Sequence, residues 1–395
     1  MAEWLLLLVL LLVVVALLWK GRRRRRRARR RGQLSSSSDT PSSLDYALRR
    51  DWSRREGILN YSSFVFFDVD RDGTYGIGDR PMGGIRVRLS GERGFLFSSR
   101  TNGNGFANFT TGLGGKVAIR QPGLYTFTVS VPPGWTVTTG NDVQTKDFIR
   151  IEGSSSGLGT EEMVRPVGLA PERILRGRPP DGVAVTVATF QGDREFGSDT
   201  LRGSFQYRVP DNADTVRLRG EGIDRVVRVG TYPVDVGLLE PTMALSPISG
   251  TPVIIPFDDV TPRGLRKIPS GYGGLNWFNL NVVSRDFQGG SQGYVNGNTS
   301  GDHMAYTSSG HPAEFWSDTP FDFIGVMLSA AWLDSEGETG IIECWRGEER
   351  VRRDTVELSA LTPVHYMPML PKLTRVRLST AHYWQMVVDD LTIVP

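Results

Sequence analysis

From residue 59 to the C-terminus, apolar and polar residues alternate in short segments separated by glycine-rich turns. A period of two places alternate side chains on opposite faces of a strand, so the pattern indicates half-buried β-sheets. The segments "IRVRLSG", "LYTFTVSV" and "TVRLRG" show the alternation, and 46 glycines and 23 prolines supply turns. The sequence therefore predicts a mainly β protein built from sandwich-type domains.

The N-terminal segment has a different character. Residues 4–19, "WLLLLVLLLVVVALLW", contain no charge, and as a helix they would rise about 24 Å, slightly less than a hydrocarbon core of about 30 Å. Trp4 and Trp19 stand at its two ends, where indole rings favour the membrane interface. A signal peptide is the alternative, but it would carry positive charge before the apolar run and small residues after it. We predict a single transmembrane anchor over residues 1–20.

Ten basic residues follow the apolar run, and their combined positive charge exceeds the net charge of +3 of the whole chain. They are Lys20, Arg22, Arg23, Arg24, Arg25, Arg26, Arg27, Arg29, Arg30 and Arg31. The positive-inside rule predicts that they and everything after them stay in the cytoplasm. There they can bind anionic lipid head groups. No aromatic residue is interleaved with them, so we expect no nucleic-acid partner.

Residues 21–58 hold this basic collar, a serine-rich linker and one short helix. Leu44, Leu48 and Trp52 recur at i, i+4 and i+8, which is typical of an amphipathic helix. The helix is predicted to dock on the membrane surface or on a partner, with packing on the first domain as the alternative.

Composition shifts divide the rest into three predicted domains, residues 59–152, 164–250 and 251–395. The polar stretch between the first two contains G-S-S-S-G, but a nucleophile elbow needs a strand before it and a helix after it. The one cysteine, Cys344, excludes an intrachain disulfide, and the four histidines are too scattered for a zinc signature. Without a catalytic motif, the sequence predicts a non-enzymatic protein.

Acidic residues in the run "FVFFDVDRDGTYGIGDRPMGGIRVRL" (64–89) have the spacing of a cation-binding loop. Alternating aspartates followed by glycine let a tight loop point several oxygens at one ion. The candidate ligands are Asp68, Asp70, Asp72, the backbone carbonyl of Thr74, and Asp79. Because strands flank the loop, it is not an EF-hand. Two alternatives stay open here, a structural calcium site and a loop held by turn hydrogen bonds.

The same run resembles the B-type repeat domains of bacterial surface adhesins, the SdrD-B and Cna-B-like group. The matching positions are Asp68, Asp70, Asp72, Gly73, Gly78, Asp79, Pro81, Met82, Gly84, Ile85, Val87 and Leu89, together with "TNGNGFANF" and "GLYTFTVSVPPGWTVT". Over residues 64–140 the resemblance implies a prealbumin-like β-sandwich and, in many members, a structural calcium. Gly76 departs from the family pattern, which has an acidic residue there, so one ligand oxygen is missing.

Residues 251–395 resemble a β-sandwich of bacterial exported proteins that often carry PEP-CTERM sorting signals. The shared segments are 257–260, 268–279, 297–301, 320–323 and 389–393, and they imply a jelly roll. Similar folds include carbohydrate-binding modules in which acidic residues of the end strands hold calcium. By analogy Asp258, Asp259, Asp389 and Asp390 are weaker candidates, unless they accept turn hydrogen bonds instead. If exposed, Tyr272, Trp277 or Trp316 could stack on sugars, although tryptophans more often pack in cores.

Two functions follow from these features. The first is a membrane-anchored scaffold subunit that braces a larger bacterial complex from the cytoplasmic face of the inner membrane, with lipids and other membrane subunits as partners. The alternative is an exported adhesin or carbohydrate-binding protein, with the bulk of the chain periplasmic or extracellular. Glycans are expected as partners only in the second case.

Overall fold

The computed structural model describes residues 60–110, 119, 121–150, 158–160, 162–241, 248, 250–285 and 292–395. These residues belong to one compact unit, and most of them lie in strands, as predicted. The predicted anchor with Trp4 and Trp19, the ten basic residues, and the helix with Leu44, Leu48 and Trp52 lie outside the described residues. Within the described ranges, no helix has the length and apolar character needed to span a membrane.

Two five-stranded sheets enclose the first hydrophobic core. One sheet contains β1 (Asn60–Phe67), β2 (Arg80–Pro81), β5 (Phe106–Thr110), β7 (Trp135–Val137) and β10 (Val167–Pro171). The other contains β3 (Arg86–Gly91), β4 (Gly94–Arg100), β6 (Gly123–Val129), β8 (Val143–Arg150) and β9 (Leu158–Gly159). Val65 of the first sheet and Val87 and Phe127 of the second are buried in the same core. Apolar positions of both sheets thus meet in a sandwich, as the alternation predicts.

Two strands that complete this sandwich come from beyond residue 152. β9 lies in the polar stretch between the first two predicted domains, yet it pairs antiparallel with β8, and Leu158 is buried in the core. β10 lies within residues 164–250, and it pairs in parallel with β1 through Val65 opposite Val167. Burial of Val167 and Leu169 in the first core explains why the chain returns there.

The second core lies under a four-stranded sheet of order β13–β12–β15–β16. Its strands are β12 (Ala184–Gln191), β13 (Arg194–Arg202), β15 (Thr215–Gly220) and β16 (Ile223–Arg228). Opposite them are β11 (Ile174–Arg178), β14 (Phe205–Arg208) and β17 (Val234–Leu238). Val187 and Leu218 pack with Leu175 and Val236 between these two layers.

The third core fills the C-terminal part of the chain. Its strands are β18 (Val253–Ile255), β19 (Leu265–Lys267), β20 (Asn276–Phe278), β21 (Leu280–Ser284), β22 (His303–Thr307), β23 (Ala313–Ala330), β24 (Glu338–Arg346), β25 (Glu349–Leu358), β26 (Val364–Tyr366), β27 (Leu370–Thr380) and β28 (Met386–Val394). A six-residue helix spans Gln292–Gly297, and 3-10 turns span Tyr272–Gly274, Ser308–Gly310 and Leu333–Ser335. The two end strands pair antiparallel, with Val253 opposite Ile393.

The second and third cores share one sheet. β11 pairs in parallel with β17, β17 pairs in parallel with β26, and β26 pairs with β23. A buried polar group crosses the same seam, because Arg352 donates to the Leu238 carbonyl and approaches Glu240 at 3.0 Å. Backbone ladders and a buried ion pair therefore fix the two cores against each other.

Candidate metal centre at the junction of the cores

The loop between β1 and β2 brings three of the predicted ligands together. Carboxylate oxygens of Asp68, Asp70 and Asp79 all lie within 4.8 Å of one another. The flanking segments are the strands β1 and β3, as predicted, so the loop is held at the rim of a sandwich and not between helices.

Backbone amides of the loop set the positions of two carboxylates. Gly73 N–H donates to Asp68 Oδ2 at 2.9 Å, and the amides of Val69 and Gly76 donate to the two oxygens of Asp79 at 2.9 and 2.8 Å. Gly73 has φ +77°, and a Cβ there would lie 3.3 Å from the carbonyl oxygen of Thr138. A glycine is needed at this point because the loop turns back tightly against β7.

One oxygen of the group has no partner. Asp68 is fully buried, and its Oδ1 accepts no hydrogen bond from the described residues. An unpaired buried carboxylate oxygen is costly unless a cation or a proton compensates it. Burial chiefly raises the pKa of Asp79, backbone hydrogen bonds from Gly76 and Val69 oppose the rise, and the charges of Asp68 and Asp70 add to it. The donor set therefore fits a hard divalent cation, which prefers oxygen ligands.

The other two predicted ligands occupy the turn beside this group. Asp72 Oδ1 accepts a hydrogen bond from the Thr74 amide at 2.6 Å, and the Asp72 amide donates to Asp70 Oδ1 at 3.2 Å. Both Asp72 and Thr74 are exposed. The turn hydrogen bonds that formed the alternative to a calcium site are thus present in the same loop as the converging carboxylates.

The loop also contacts the second core. Arg71 donates to Asp211 Oδ1 at 2.7 Å and to the Pro171 carbonyl at 2.5 Å. Arg71 is held at φ +62°, which costs free energy for a non-glycine residue. Thr231 Oγ1 donates to the Val69 carbonyl at 3.2 Å. Residues of the acidic loop therefore anchor the first core to the second.

The strand that follows the loop contacts the third core. Arg80 of β2 donates to the carbonyls of Asn298 and Thr299. Asn296 Nδ2 donates to the Gly83 carbonyl, and Asn296 Oδ1 accepts from the Gly83 amide, both at 3.1 Å. The acidic loop and β2 together thus reach both other cores within a few residues.

The second predicted acidic set surrounds the loop 298–303 and does not converge on one point. Asp389 Oδ2 accepts from the Thr299 amide at 2.6 Å, and Asp390 accepts from Ser300 Oγ at 2.6 Å. Asp258 Oδ1 accepts from the amides of Asp302 and His303 at 2.7 and 3.0 Å. Asp259 instead accepts from Tyr272 Oη. Among the described residues only the group Asp68, Asp70 and Asp79 has metal-ligand spacing.

Of the three aromatic residues proposed to stack on sugars, Tyr272 and Trp316 are half-buried and Trp277 is buried. The indole N–H of Trp277 donates to the Tyr272 carbonyl at 2.9 Å within the third core. Among the described residues, the exposed tyrosine and tryptophan rings are Tyr383, Trp384 and Trp332. Tyr383 and Trp384 lie in the turn between β27 and β28, and adjacent aromatic residues in a turn are a sequence feature that could have identified them.

The fold and the loop define a class of protein: several packed β-sandwiches joined around an acidic, oxygen-rich loop. No protein-family model matches the chain, and no curated protein matches it. Solved structures give low-scoring matches. The structure of TmCBM61 in complex with β-1,4-galactotriose is 9% identical in sequence, with a TM-score of 0.20. The match covers 30% of this chain and 86% of the TmCBM61 chain.

Two further matches are of the same kind. A double mutant of the shaft pilin SpaA from Lactobacillus rhamnosus GG is 9% identical over 47% of this chain and 98% of its own, with a TM-score of 0.22. The N-terminal CBM22 tandem domain of Xyn10C from Paenibacillus barcinonensis is 11% identical over 66% of this chain and 92% of its own, also with a TM-score of 0.22. At these TM-scores the matches carry no conclusion about function.

Proposed function

We propose that this protein is a non-enzymatic structural subunit, anchored in a bacterial inner membrane, that braces a larger membrane complex. The observation that carries the proposal is that the second and third cores share one sheet and that polar side chains join the first core to both. Such a body keeps its shape under load, because bending would break backbone ladders and desolvated ion pairs together. The basic residues before the first core would contact anionic lipids, and the β domains would contact other membrane subunits.

The acidic loop supplies the second part of the proposal. Asp68, Asp70 and Asp79 would hold a divalent cation, calcium by the chemistry of the donors. The cation would neutralise like charges at the point where the first core is attached to the other two. Its role is structural, since it stiffens a junction. The first core would be a prealbumin-like sandwich of the SdrD-B type and residues 251–395 a jelly roll.

The bracing role is tested by extraction in mild detergent. The protein is expected to co-purify with a stable membrane complex, and deletion of the protein should shift that complex to smaller species on native gels. Recovery only as a free monomer, together with an unchanged complex in the deletion strain, would contradict bracing.

An exported adhesin or carbohydrate-binding protein is the second candidate. The exposed rings of Trp332, Tyr383 and Trp384 favour it, because aromatic faces stack on sugar rings. Sidedness separates the two candidates. Protease added to intact cells or spheroplasts should leave residues 45–395 undigested if they are cytoplasmic, and it should digest them if the second candidate is correct.

A further inference from the structure

A cleft of about 880 Å³ lies between the first and third cores. Its volume is within the range of small-molecule sites, which often form where domains meet. The polar side chains that line it are Asn102, Asn104, Arg263, Ser284, Arg285, Asp302 and His303. The two asparagines belong to the turn before β5, and the other five come from loops and strand ends of the third core.

Arg285 presents positive charge to this cleft. Its guanidinium is half-buried, and among the described residues no carboxylate lies within 4.0 Å of it. It donates only a long hydrogen bond, 3.4 Å, to the Pro81 carbonyl. Burial chiefly lowers the pKa of Arg285, the like charge of Arg80 lowers it further, and the charge of Asp302 opposes the shift. A ligand carboxylate bound to Arg285 would offset the effects of burial and of the like charge.

The opposite wall is held rigidly and offers acceptors. Asp258 Oδ1 accepts from the amides of Asp302 and His303 and lies 3.5 Å from His303 Nδ1. His303 is buried, and its Nε2 has no hydrogen-bond partner among the described residues. The Asp302 side chain is exposed at the rim. The wall is thus preorganised by Asp258, and the group that it presents to a ligand is the carboxylate of Asp302.

We propose that the cleft binds a carbohydrate that carries a carboxylate, such as a chain of uronic-acid units. A simple anion would be repelled by Asp302, and a cation would be repelled by Arg285. An acidic sugar uses both kinds of group, because its carboxylate pairs with arginine while its hydroxyls donate to Asp302. Asn102 and Asn104 add amide groups that donate to and accept from hydroxyls.

An acidic peptide is the competing ligand. Peptides usually dock along a free strand edge or in a groove with apolar pockets, whereas loops and strand ends supply most of this lining. The carbohydrate therefore fits the cleft better. The assignment rests on the second candidate function, because glycans are expected as partners only there, and failure of the trisaccharide to bind would leave the bracing role untouched.

Isothermal titration calorimetry on the full-length protein in detergent tests the proposal, with a trisaccharide of galacturonic acid as the probe. The wild type should bind it, and the carboxyl-reduced trisaccharide should bind at least tenfold more weakly. Arg285→Gln should also weaken binding at least tenfold. Arg228→Gln removes the same charge from an exposed strand position outside the cleft and should bind as the wild type does.

Substitutions at two exposed residues of the cleft test the proposal even if Arg285→Gln impairs folding. Asn104→Asp places a negative charge in the cleft and should weaken binding about tenfold. Asp302→Ala should weaken binding of the acidic trisaccharide, because it removes the hydroxyl acceptor, whereas a site for anions alone would bind more tightly. Equal binding of triglutamate, tighter binding by Asp302→Ala, or no binding by the wild type would each overturn the proposal.

Discussion

At the scale of single residues, the group Asp68, Asp70 and Asp79 predicts a calcium-dependent melting temperature. Asp70→Ala removes one ligand carboxylate and should abolish most of the rise in melting temperature that calcium causes, since ligand binding to the folded state stabilises it by mass action. Asp193→Ala, an exposed change in the turn after β12, is the matched control. An unchanged calcium response in Asp70→Ala would contradict the site.

Gly76 allows a test in which a ligand carboxylate is added instead of removed. It has no positive φ, and a Cβ there would meet nothing nearer than 3.9 Å, so Gly76→Asp should fold without strain. The new carboxylate faces the loop that lacks one family ligand. We expect calcium affinity to rise about tenfold, roughly 1.4 kcal/mol. Calorimetric titration of calcium measures it, and weaker binding than in the wild type would show that residue 76 points away from the ion.

The calcium response should also depend on pH. The pKa of Asp79 is raised in the folded protein, chiefly by burial. Its contribution to stability is therefore present at low pH and is lost as pH rises through the raised pKa. Calcium compensates that loss, so the calcium-induced rise in melting temperature should be large at pH 7.5 and should shrink towards pH 4. Melting curves with calcium and with chelator at both pH values test this, and an equal rise at both would contradict it.

The sequence predicted the ligands of the acidic loop better than it predicted which aromatic side chains are exposed. The i, i+2, i+4 spacing of aspartates is local, so the ligand set could be proposed from the sequence. Whether Trp277 faces solvent or core depends on Phe257 and Phe315, which pack around it. These neighbours are distant in sequence, and spacing alone could not reveal that Trp277 is buried while Tyr383 is exposed.

At the scale of elements, the seam between β17 and the third core depends on a glycine. Gly237 has φ +64°, and a Cβ there would overlap Asp354 Oδ2, which also accepts from Tyr366 Oη at 2.8 Å. Gly237→Ala should destabilise the protein by about 2–4 kcal/mol, because it strains the backbone and displaces a buried carboxylate. Gly230→Ala has nothing within 4 Å of the new Cβ and no positive φ, so it should be close to neutral. Urea denaturation of both variants tests the difference, and similar midpoints would contradict it.

Strand positions could be predicted because alternation is a local property. β3, β6 and β15 coincide with the alternating segments "IRVRLSG", "LYTFTVSV" and "TVRLRG". The assignment of β9 and β10 to the first sandwich could not be predicted, because it depends on pairing with β8 and β1. A short strand such as Leu158–Gly159 also carries too few residues to show a period.

At the scale of the whole molecule, Arg80 predicts how the cores unfold. The side chain leaves β2 of the first core and donates to two carbonyls of the third, 218 and 219 residues away. A contact between residues so far apart in sequence leaves no local pattern. The sequence therefore indicated three separate domains, whereas the structure shows cores that are joined. Because the contact is charge-assisted and half-buried, its loss leaves buried carbonyls unpaired.

Arg80→Ala should therefore uncouple the first core from the third. We expect one calorimetric transition in the wild type and a separate, earlier transition of the first core in the variant, because cooperativity requires the contacts between the cores. Arg86→Ala, an exposed change on the neighbouring strand β3, should leave a single transition. Calcium should reduce the temperature difference between the two transitions of Arg80→Ala, because the acidic loop joins the first core to the second through contacts other than those of Arg80. Two transitions already present in the wild type would show that the cores are independent, and the bracing role would then lack its mechanical basis.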